Sequence, residues 1–217
     1  MLKKASARRE SGDALIEVLF AITVFSLAVV AAFSLINQGT AASLRSLQIT
    51  TVRQQIDSQA EALRFMSSAY ISAYYPGYEP NLADGVTSPA EEFYKVIARV
   101  KATDAESAST FAGGAVTCPN PPSGSFIINT QQVRLADGPF TLADSYAQVL
   151  YAPSSGDITA SQGIWIEAVR SGVSASDPNQ ANVSYTDFHI RACWPAPGTN
   201  SSMNIGTIVR LYEPATS

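Results

Sequence analysis

The residues that could carry acid–base or nucleophilic chemistry are few, and they fall on one predicted strand. The chain has a single histidine, His189, which any Ser-His-Asp or Cys-His centre would have to use. Apolar and polar residues alternate from Tyr185 to Ala192, which places His189 on the polar face with Asp187 and Arg191. No GxSxG, HExxH, P-loop or GxGxxG motif occurs. We interpret His189 as a solvated or salt-bridged surface residue, and we expect neither enzyme activity nor a cofactor.

Charge is distributed unevenly along the chain. The 217 residues have a formal net charge of −4 and only 15% charged residues. Four basic residues and one acid lie in residues 1–12, so the remainder of the chain is acidic. Aromatic content of 9% is enough for a core and argues against wholesale disorder. The acidic balance argues against nucleic acid as a partner, although net charge does not register a local basic patch.

An uncharged segment follows the basic residues. No charged residue occurs between Glu17 and Arg45, and the stretch Val18–Ile36 has three polar members. About 20 apolar residues are needed to cross a bilayer, so this stretch is long enough. The basic flank predicts a cytoplasmic N-terminus and an exported remainder. Three interpretations fit this pattern. Two are a secretory signal peptide and a plain single-pass anchor, and the third depends on the residues around Glu17.

The third interpretation depends on Glu17, because a carboxylate at the start of a membrane segment is costly unless it is paired. Residues 11–25 read SGDALIEVLFAITVF, and Glu17 is the fifth residue after Gly12. This segment resembles the prepilin cleavage region of type IV pilins and type II secretion pseudopilins. That family has a short basic leader ending in Gly and then a hydrophobic helix. The apolar residues that match this helix are Leu15, Ile16, Val18, Leu19 and Phe20.

The resemblance implies a filament subunit that is made as a membrane-inserted prepilin. A prepilin peptidase would cut after Gly12, and the new amine of Asp13 would be N-methylated. Glu17 would then neutralise the amine of a neighbouring subunit and fix the register of packing. The implied partners are other pilin subunits, the prepilin peptidase, an inner-membrane assembly platform and the lipid bilayer. Asp13 stands where the family mostly has Phe or Met, which favours a minor component by analogy.

The resemblance also implies a location, first in the cytoplasmic membrane and then in a surface pilus or pseudopilus. Adhesion, motility, DNA uptake and secretion are not separated by this sequence. The alternative function is a membrane-anchored extracytoplasmic binding domain that never polymerises.

Cys118 and Cys193 both lie on the predicted exported side. Two cysteines in an oxidising compartment more often form a disulfide than remain free. Such a bond would tie a proline-rich loop to the fourth predicted strand. Loop-entropy models give it about 4 kcal/mol of stabilisation. With one histidine, two cysteines are too few for a zinc cluster of the finger type.

These residues must be positioned by an α+β fold, in which a long N-terminal helix packs on a C-terminal antiparallel sheet. Apolar residues about four apart, such as Val52, Ile56 and Ala60, predict that the helix continues past the membrane. The predicted i,i+4 and i,i+3 ion pairs on this helix are Arg53/Asp57 and Glu61/Arg64. The predicted segments are 1–12 (leader), 13–40 (transmembrane and assembly helix), 41–75 (amphipathic helix), 76–125 (helix and loop) and 126–217 (sheet domain).

Within the last two segments, Ser88 and Glu91 form a capping box that predicts a helix from Pro89 to Lys101. Five strands are predicted between turn signals. They are Phe126–Leu135, Tyr146–Ala152, Gly163–Arg170, Val183–Trp194 and Gly206–Tyr212.

Overall fold

A computed structural model describes residues 13–74, 88–103, 108, 117–170 and 185–213. Two helices, α1 (Asp13–Ala73) and α2 (Pro89–Thr103), precede all the strands. The described residues form eight strands: β1 (Ile127–Asn129), β2 (Arg134–Ala136), β3 (Phe140–Thr141), β4 (Gln148–Tyr151), β5 (Ile158–Gln162), β6 (Ile164–Arg170), β7 (Tyr185–Pro195) and β8 (Ser202–Tyr212). This element order confirms the predicted α+β class. The predicted leader, residues 1–12, lies outside the described residues.

The chain divides into two compact units, Met1–Arg45 and Ser46–Ser217. In the first unit the described residues form one helical stretch, the N-terminal part of α1. Its large apolar side chains are exposed along its length, as Leu15, Phe20 and Leu35 illustrate. No core is built within the described part of this unit.

In the second unit, α1 buries one stripe of side chains against α2 and the sheets. The stripe repeats every three or four residues, which is the spacing of one helix face. Its buried members are Val52, Ile56, Gln59, Ala60, Leu63, Met66 and Tyr70. Helix α2 adds Phe93, Val96 and Val100 to the same core.

The main sheet has the order β6-β7-β8 and is antiparallel throughout. Residues of β7 alternate between buried and part-exposed from Tyr185 to Ala192, as the sequence pattern predicts. The buried face, which includes Phe188 and Ile190, joins the core formed with α1 and α2. Helix α1 therefore packs on an antiparallel sheet region, as predicted.

Two smaller sheets complete the second unit. Strands β1 and β2 form an antiparallel hairpin, and β3-β5-β4 form a three-stranded sheet in which the short β3–β5 pair is parallel. Gly163 alone separates β5 from β6, so the chain passes there directly from one sheet into the next. Its φ is +63°, and an added Cβ would lie 2.2 Å from the Cys193 carbonyl oxygen. Only glycine fits this junction without displacing the backbone.

The predicted strand Phe126–Leu135 is wrong as a single element. Only an isolated bridge at Phe126 and the strands β1 and β2 form there, on either side of a turn. The Asn129 side-chain oxygen accepts hydrogen bonds from the backbone N–H groups of Gln131 and Gln132, at 3.0 and 3.2 Å. An Asx turn of this kind reverses the chain. Val133 completes it with a φ of 54°.

The other predicted strands correspond to β4, β6, β7 and β8, with ends that differ by a few residues. The first two residues of the predicted strand Val183–Trp194 lie outside the described residues. The largest shift is in β8, which begins at Ser202 rather than at Gly206. Strands β3 and β5 were not predicted. Helix α2 follows the prediction closely and ends at Thr103 rather than Lys101.

Candidate functional site: the apolar segment of helix α1

The candidate assembly residues all lie at the start of α1, on side chains that face outward. Leu15, Ile16, Val18, Leu19 and Phe20 are each more than half exposed. Leaving so many apolar side chains of one helix in water is unfavourable. Each exposed side chain forgoes the roughly 1.5–3 kcal/mol of free energy that its burial would contribute. A surface of this kind is typical of a segment that lipid or another protein covers.

The polar side chains within this apolar segment bond to its own backbone. Thr23 Oγ1 donates to the Phe20 carbonyl at 2.7 Å, and Ser26 Oγ donates to the Ile22 carbonyl at 2.7 Å. Such bonds remove the cost of a hydroxyl in an apolar medium. By length and composition, α1 could cross a membrane.

Glu17 is exposed in this segment and forms no ion pair or hydrogen bond with any described residue. Glu17 lies four residues after Asp13, so the two positions are one helical turn apart on one face. Gly12, the predicted cleavage position, lies outside the described residues. Helix α1 begins at Asp13 among the residues described.

The predicted disulfide is formed. Cys118 and Cys193 are bonded, with a Cα–Cα distance of 5.6 Å. Cys193 is buried in β7, and its partner precedes β1. The bond therefore fastens the segment before the first strand to the main sheet, as predicted.

His189 lies on the outer face of the main sheet, between Glu167 of β6 and Ile208 of β8. Neither cross-strand neighbour is a hydroxyl or thiol nucleophile. Burial lowers the pKa of His189, and the charge of Arg191 lowers it further. Asp187 and Glu167 act in the opposite direction but do not reverse the shift. At neutral pH the imidazole is therefore uncharged.

The charged neighbours of His189 are already paired. The Glu167 carboxylate accepts a hydrogen bond from Trp165 Nε1 at 2.8 Å and lies 3.5 Å from Arg191 Nε. Asp187 accepts two hydrogen bonds from Arg210, each 2.7 Å long, and these bonds hold the pKa of Asp187 below its ordinary value. Among the described residues, no group of three His, Cys, Asp or Glu side chains could hold a metal ion.

Two buried polar side chains that position α1 and α2 were missed by the sequence reasoning. Gln59 is buried among the apolar residues of α1 and bonds to both backbone groups of Ile128 in β1. Glu92 is buried in α2, where it accepts hydrogen bonds from Lys95 Nζ at 2.7 Å and from the Leu135 N–H at 2.8 Å. The signal for Gln59 was present in the sequence, as a polar residue at a core position of the helical stripe.

No protein-family model, curated protein or solved structure matches this chain.

Proposed function

We propose that this protein is a type IV pilin-like filament subunit and a minor component of its filament. Residues 1–12 act as a leader that is removed after Gly12, and the amine of Asp13 is N-methylated. The precursor sits in the cytoplasmic membrane with its N-terminus inside. After processing, the apolar part of α1 moves from lipid into a surface pilus or pseudopilus.

One observation carries this proposal: α1 is a single helix from Asp13 to Ala73. Its N-terminal part needs an apolar cover, whereas residues 52–70 supply the core of the exported unit. A secretory signal peptide would be cut at small residues, for which Ala31, Ala32 and Gly39 are the candidates, and removal at any of them would sever this helix. Cleavage at Gly12 would leave it whole, which supports a segment that is retained.

Glu17 supplies a physical basis for ordered assembly. In an apolar surrounding, an unpaired carboxylate is costly, and so is an unpaired ammonium. A neighbouring subunit that is staggered along the helix axis can place its amine at Asp13 against Glu17. Misregistered subunits would leave both charges unpaired, so the pair selects register more than it adds stability.

The test is the mass and N-terminal sequence of the mature protein purified from cells. We expect a chain that begins at Asp13 and carries one added methyl group. A Gly12→Val variant should accumulate as uncut precursor in the membrane fraction. Any other mature N-terminus contradicts the proposal, and an intact residue 1–12 segment without sheared filaments favours the anchored binding domain.

Assembly is tested separately from cleavage with Glu17→Ala. This variant should be processed at the wild-type position but should be lost from sheared filaments. Ser26→Ala is the matched control, because it changes a polar residue of the same segment and removes no charge. If Glu17→Ala enters filaments as well as the control does, the assigned role of Glu17 is wrong.

A further inference from the structure

Strand β8 forms an edge of the main sheet that no described strand covers. It extends over 11 residues and pairs with β7 along its whole length. Among the described residues, nothing pairs with its other side. A free edge of this kind presents a row of N–H and C=O groups to which another strand can bind.

The alternation of the ladder identifies the groups that face this free edge. The Cys193 N–H donates to the Gly163 carbonyl at 2.8 Å, away from β8. Its neighbour Ala192 therefore bonds in the other direction, to its partner Ile205 in β8. It follows that the even-numbered residues in 204–210 direct their N–H and C=O groups to the free edge.

Strand β8 lacks the features that usually protect an edge from pairing. It contains neither Pro nor Lys, and its register with β7 has no bulge. Arg210 is its one charged residue. The Arg210 guanidinium is bonded to Asp187 and lies 3.9 Å from the centre of the Tyr185 ring. Its charge is thus held over the face of the sheet rather than beyond the edge.

Two charged side chains of α1 remain available for a partner. The predicted ion pair between Arg53 and Asp57 is not formed, and neither side chain bonds to any described residue. By contrast, Glu61 and Arg64 form the other predicted pair, at 2.5 Å. The two pairs differ in order, since a base that precedes an acid along a helix is the less favourable arrangement.

A hollow of about 330 Å³ lies between α1 and the middle of β8. Arg53, Ile56 and Asp57 line it on the side of α1, and residues 205–207 line it on the side of β8. Ile56 is buried, so the hollow combines an apolar wall with two charged side chains. The odd-numbered residues of β8 share this face of the sheet with the core residues of β7. A strand added at the edge would direct every second side chain to the same face.

We propose that an extended segment of another protein binds along the edge of β8 as a fourth strand of the main sheet, antiparallel to β8. Its backbone bonds to the even-numbered residues of β8, and its inward side chains enter the hollow. The antiparallel direction continues the pattern of the sheet and is slightly more stable per residue than the parallel one. In recognition of this kind, backbone bonds supply affinity and side-chain pockets supply specificity.

The two charges of the hollow define the chemistry of this segment, which carries an acidic and a basic side chain two residues apart. Arg53 and Asp57 are about 6 Å apart along the helix axis. Alternate residues of a strand are about 7 Å apart, so each inward side chain can lie beside one charge. An acid beside Arg53 and a base beside Asp57 attract, whereas the reverse order makes two like-charge contacts.

No described strand of this chain carries such a pair. In β6, Glu167 and Arg170 are three residues apart, and in β7, Asp187 and Arg191 are four residues apart. A second β8 is also excluded, because an antiparallel pair of β8 strands would direct two copies of α1 oppositely. These observations favour a different protein as the occupant.

The proposed contact is independent of the proposed filament. Its residues belong to the unit Ser46–Ser217 and not to the apolar segment of α1. A partner strand also imposes no direction on α1, so the contact is compatible with a membrane or a filament. Either proposal can therefore fail while the other holds.

The first test measures the binding of two fluorescent nonapeptides to the full-length protein in detergent micelles at low salt. Their sequences, TVTETKTVT and TVTKTETVT, differ only in the order of the acid and the base. We expect one order to bind about tenfold more tightly in fluorescence anisotropy, because two attractive contacts replace two repulsive ones. Equal affinity for the two peptides, or binding of neither, would overturn the proposal.

Exchanging the charges on α1 tests whether the hollow causes this preference. The double variant R53D/D57R should prefer the other peptide, again by about tenfold. The matched control is E61R/R64E, which exchanges an ion pair of the same helix outside the hollow. This control should keep the wild-type preference. A preference that does not reverse in R53D/D57R would show that the hollow does not bind the segment.

Backbone methylation of the preferred peptide tests pairing with β8. In an antiparallel pair, the residues whose side chains lie on the same face as the even-numbered residues of β8 direct their N–H groups to that strand. In the peptide these are the threonines. Methylating the amides of its central threonines should lower the affinity at least about tenfold. Methylating the amides of its glutamate and lysine should have little effect, and equal losses from the two sets would contradict pairing at this edge.

Sedimentation of the protein with and without the preferred peptide tests a second copy as the occupant. We expect the peptide to leave the number of protein copies per micelle unchanged. A dimer that the peptide dissociates would show that this chain itself occupies the edge, and it would overturn the assignment to a different protein.

Discussion

At the scale of single residues, Gln59 occupies a position that would otherwise take an apolar side chain. Its Nε2 donates to the Ile128 carbonyl and its Oε1 accepts from the Ile128 N–H, both at 2.9 Å. The carboxamide therefore bonds to β1 as an adjacent strand would. Buried backbone groups need such partners, so Gln59 connects α1 to the β1–β2 hairpin.

Replacing Gln59 with Met should lower the free energy of unfolding by about 2–4 kcal/mol, because the Ile128 N–H and C=O remain buried without a partner. Urea unfolding of the full-length protein in detergent, followed by circular dichroism, measures the loss. Gln54→Met is the matched control on the exposed face and should change stability by less than about 0.5 kcal/mol. Equal midpoints for the two variants would contradict the assigned role.

His189 should make the protein less stable in mild acid. Burial lowers its pKa in the folded state, so below the unfolded value of about 6.5 the unfolded chain binds more protons. The contribution of His189 to the free energy of unfolding is fully present above that pH and is lost as the pH falls through it. The His189→Gln variant should lose less stability than wild type between about pH 7 and pH 5. The carboxylates titrate in both proteins and affect both stability curves alike. If the two curves of unfolding free energy against pH are parallel, His189 makes no such contribution.

At the scale of secondary-structure elements, α2 begins with a reciprocal cap. The Ser88 N–H donates to Glu91 Oε2 at 2.6 Å, and the Glu91 N–H donates to Ser88 Oγ at 3.3 Å. These two bonds satisfy backbone groups that the first turn of a helix leaves free. Since Glu92 follows directly, the cap also fixes the helical position from which that carboxylate reaches Leu135.

Ser88→Ala should destabilise the folded protein by about 1 kcal/mol through loss of the cap. Ser88→Thr keeps a hydroxyl at the cap and should retain most of that stability. Urea midpoints of the two variants measure the difference. A Thr variant as unstable as the Ala variant would show that the hydroxyl is not the cause.

Elements with a long period or a specific cap were predictable from sequence. The stripe Val52, Ile56 and Leu63 identified the core face of α1, and the capping box identified the start of α2 within one residue. The prediction of a single strand from Phe126 to Leu135 failed because a side-chain hydrogen bond reverses the chain there. Asn129 and Val133 lie inside an apolar run that looks like one strand, but the Asx turn folds it into a hairpin. Strand β5 (Ile158–Gln162) is short and mostly polar or small, so its alternation was not visible.

The candidate site was predictable to the extent that it consists of sequence-local features. The apolar segment and Glu17 can be identified from composition and spacing, and the disulfide from the cysteine count and the predicted compartment. Among the described residues, the predicted ion pair between Arg53 and Asp57 is not formed. The sequence could not show this, because i,i+4 spacing permits a salt bridge without requiring one. Likewise, the proximity of these two charges to β8 depends on tertiary packing across about 150 residues of sequence.

At the scale of the whole unit Ser46–Ser217, the Cys118–Cys193 bond closes a covalent loop between residues 75 apart in sequence. Replacing both cysteines with Ser should lower the free energy of unfolding by about 4 kcal/mol, since the unfolded chain regains the entropy of that loop. Urea unfolding with and without reductant provides the check. Reductant should destabilise the wild-type protein and leave the double Ser variant unchanged. An equal effect of reductant on both proteins would contradict the prediction.

The stripe of α1 that packs in the core has a consequence for the timing of folding. Residues 52–70 leave the ribosome well before β6, β7 and β8, which provide much of the surface that covers them. Until the last strands have been made, this apolar face has no permanent cover. Slow synthesis of the C-terminal strands should therefore promote aggregation or degradation of the unfinished chain.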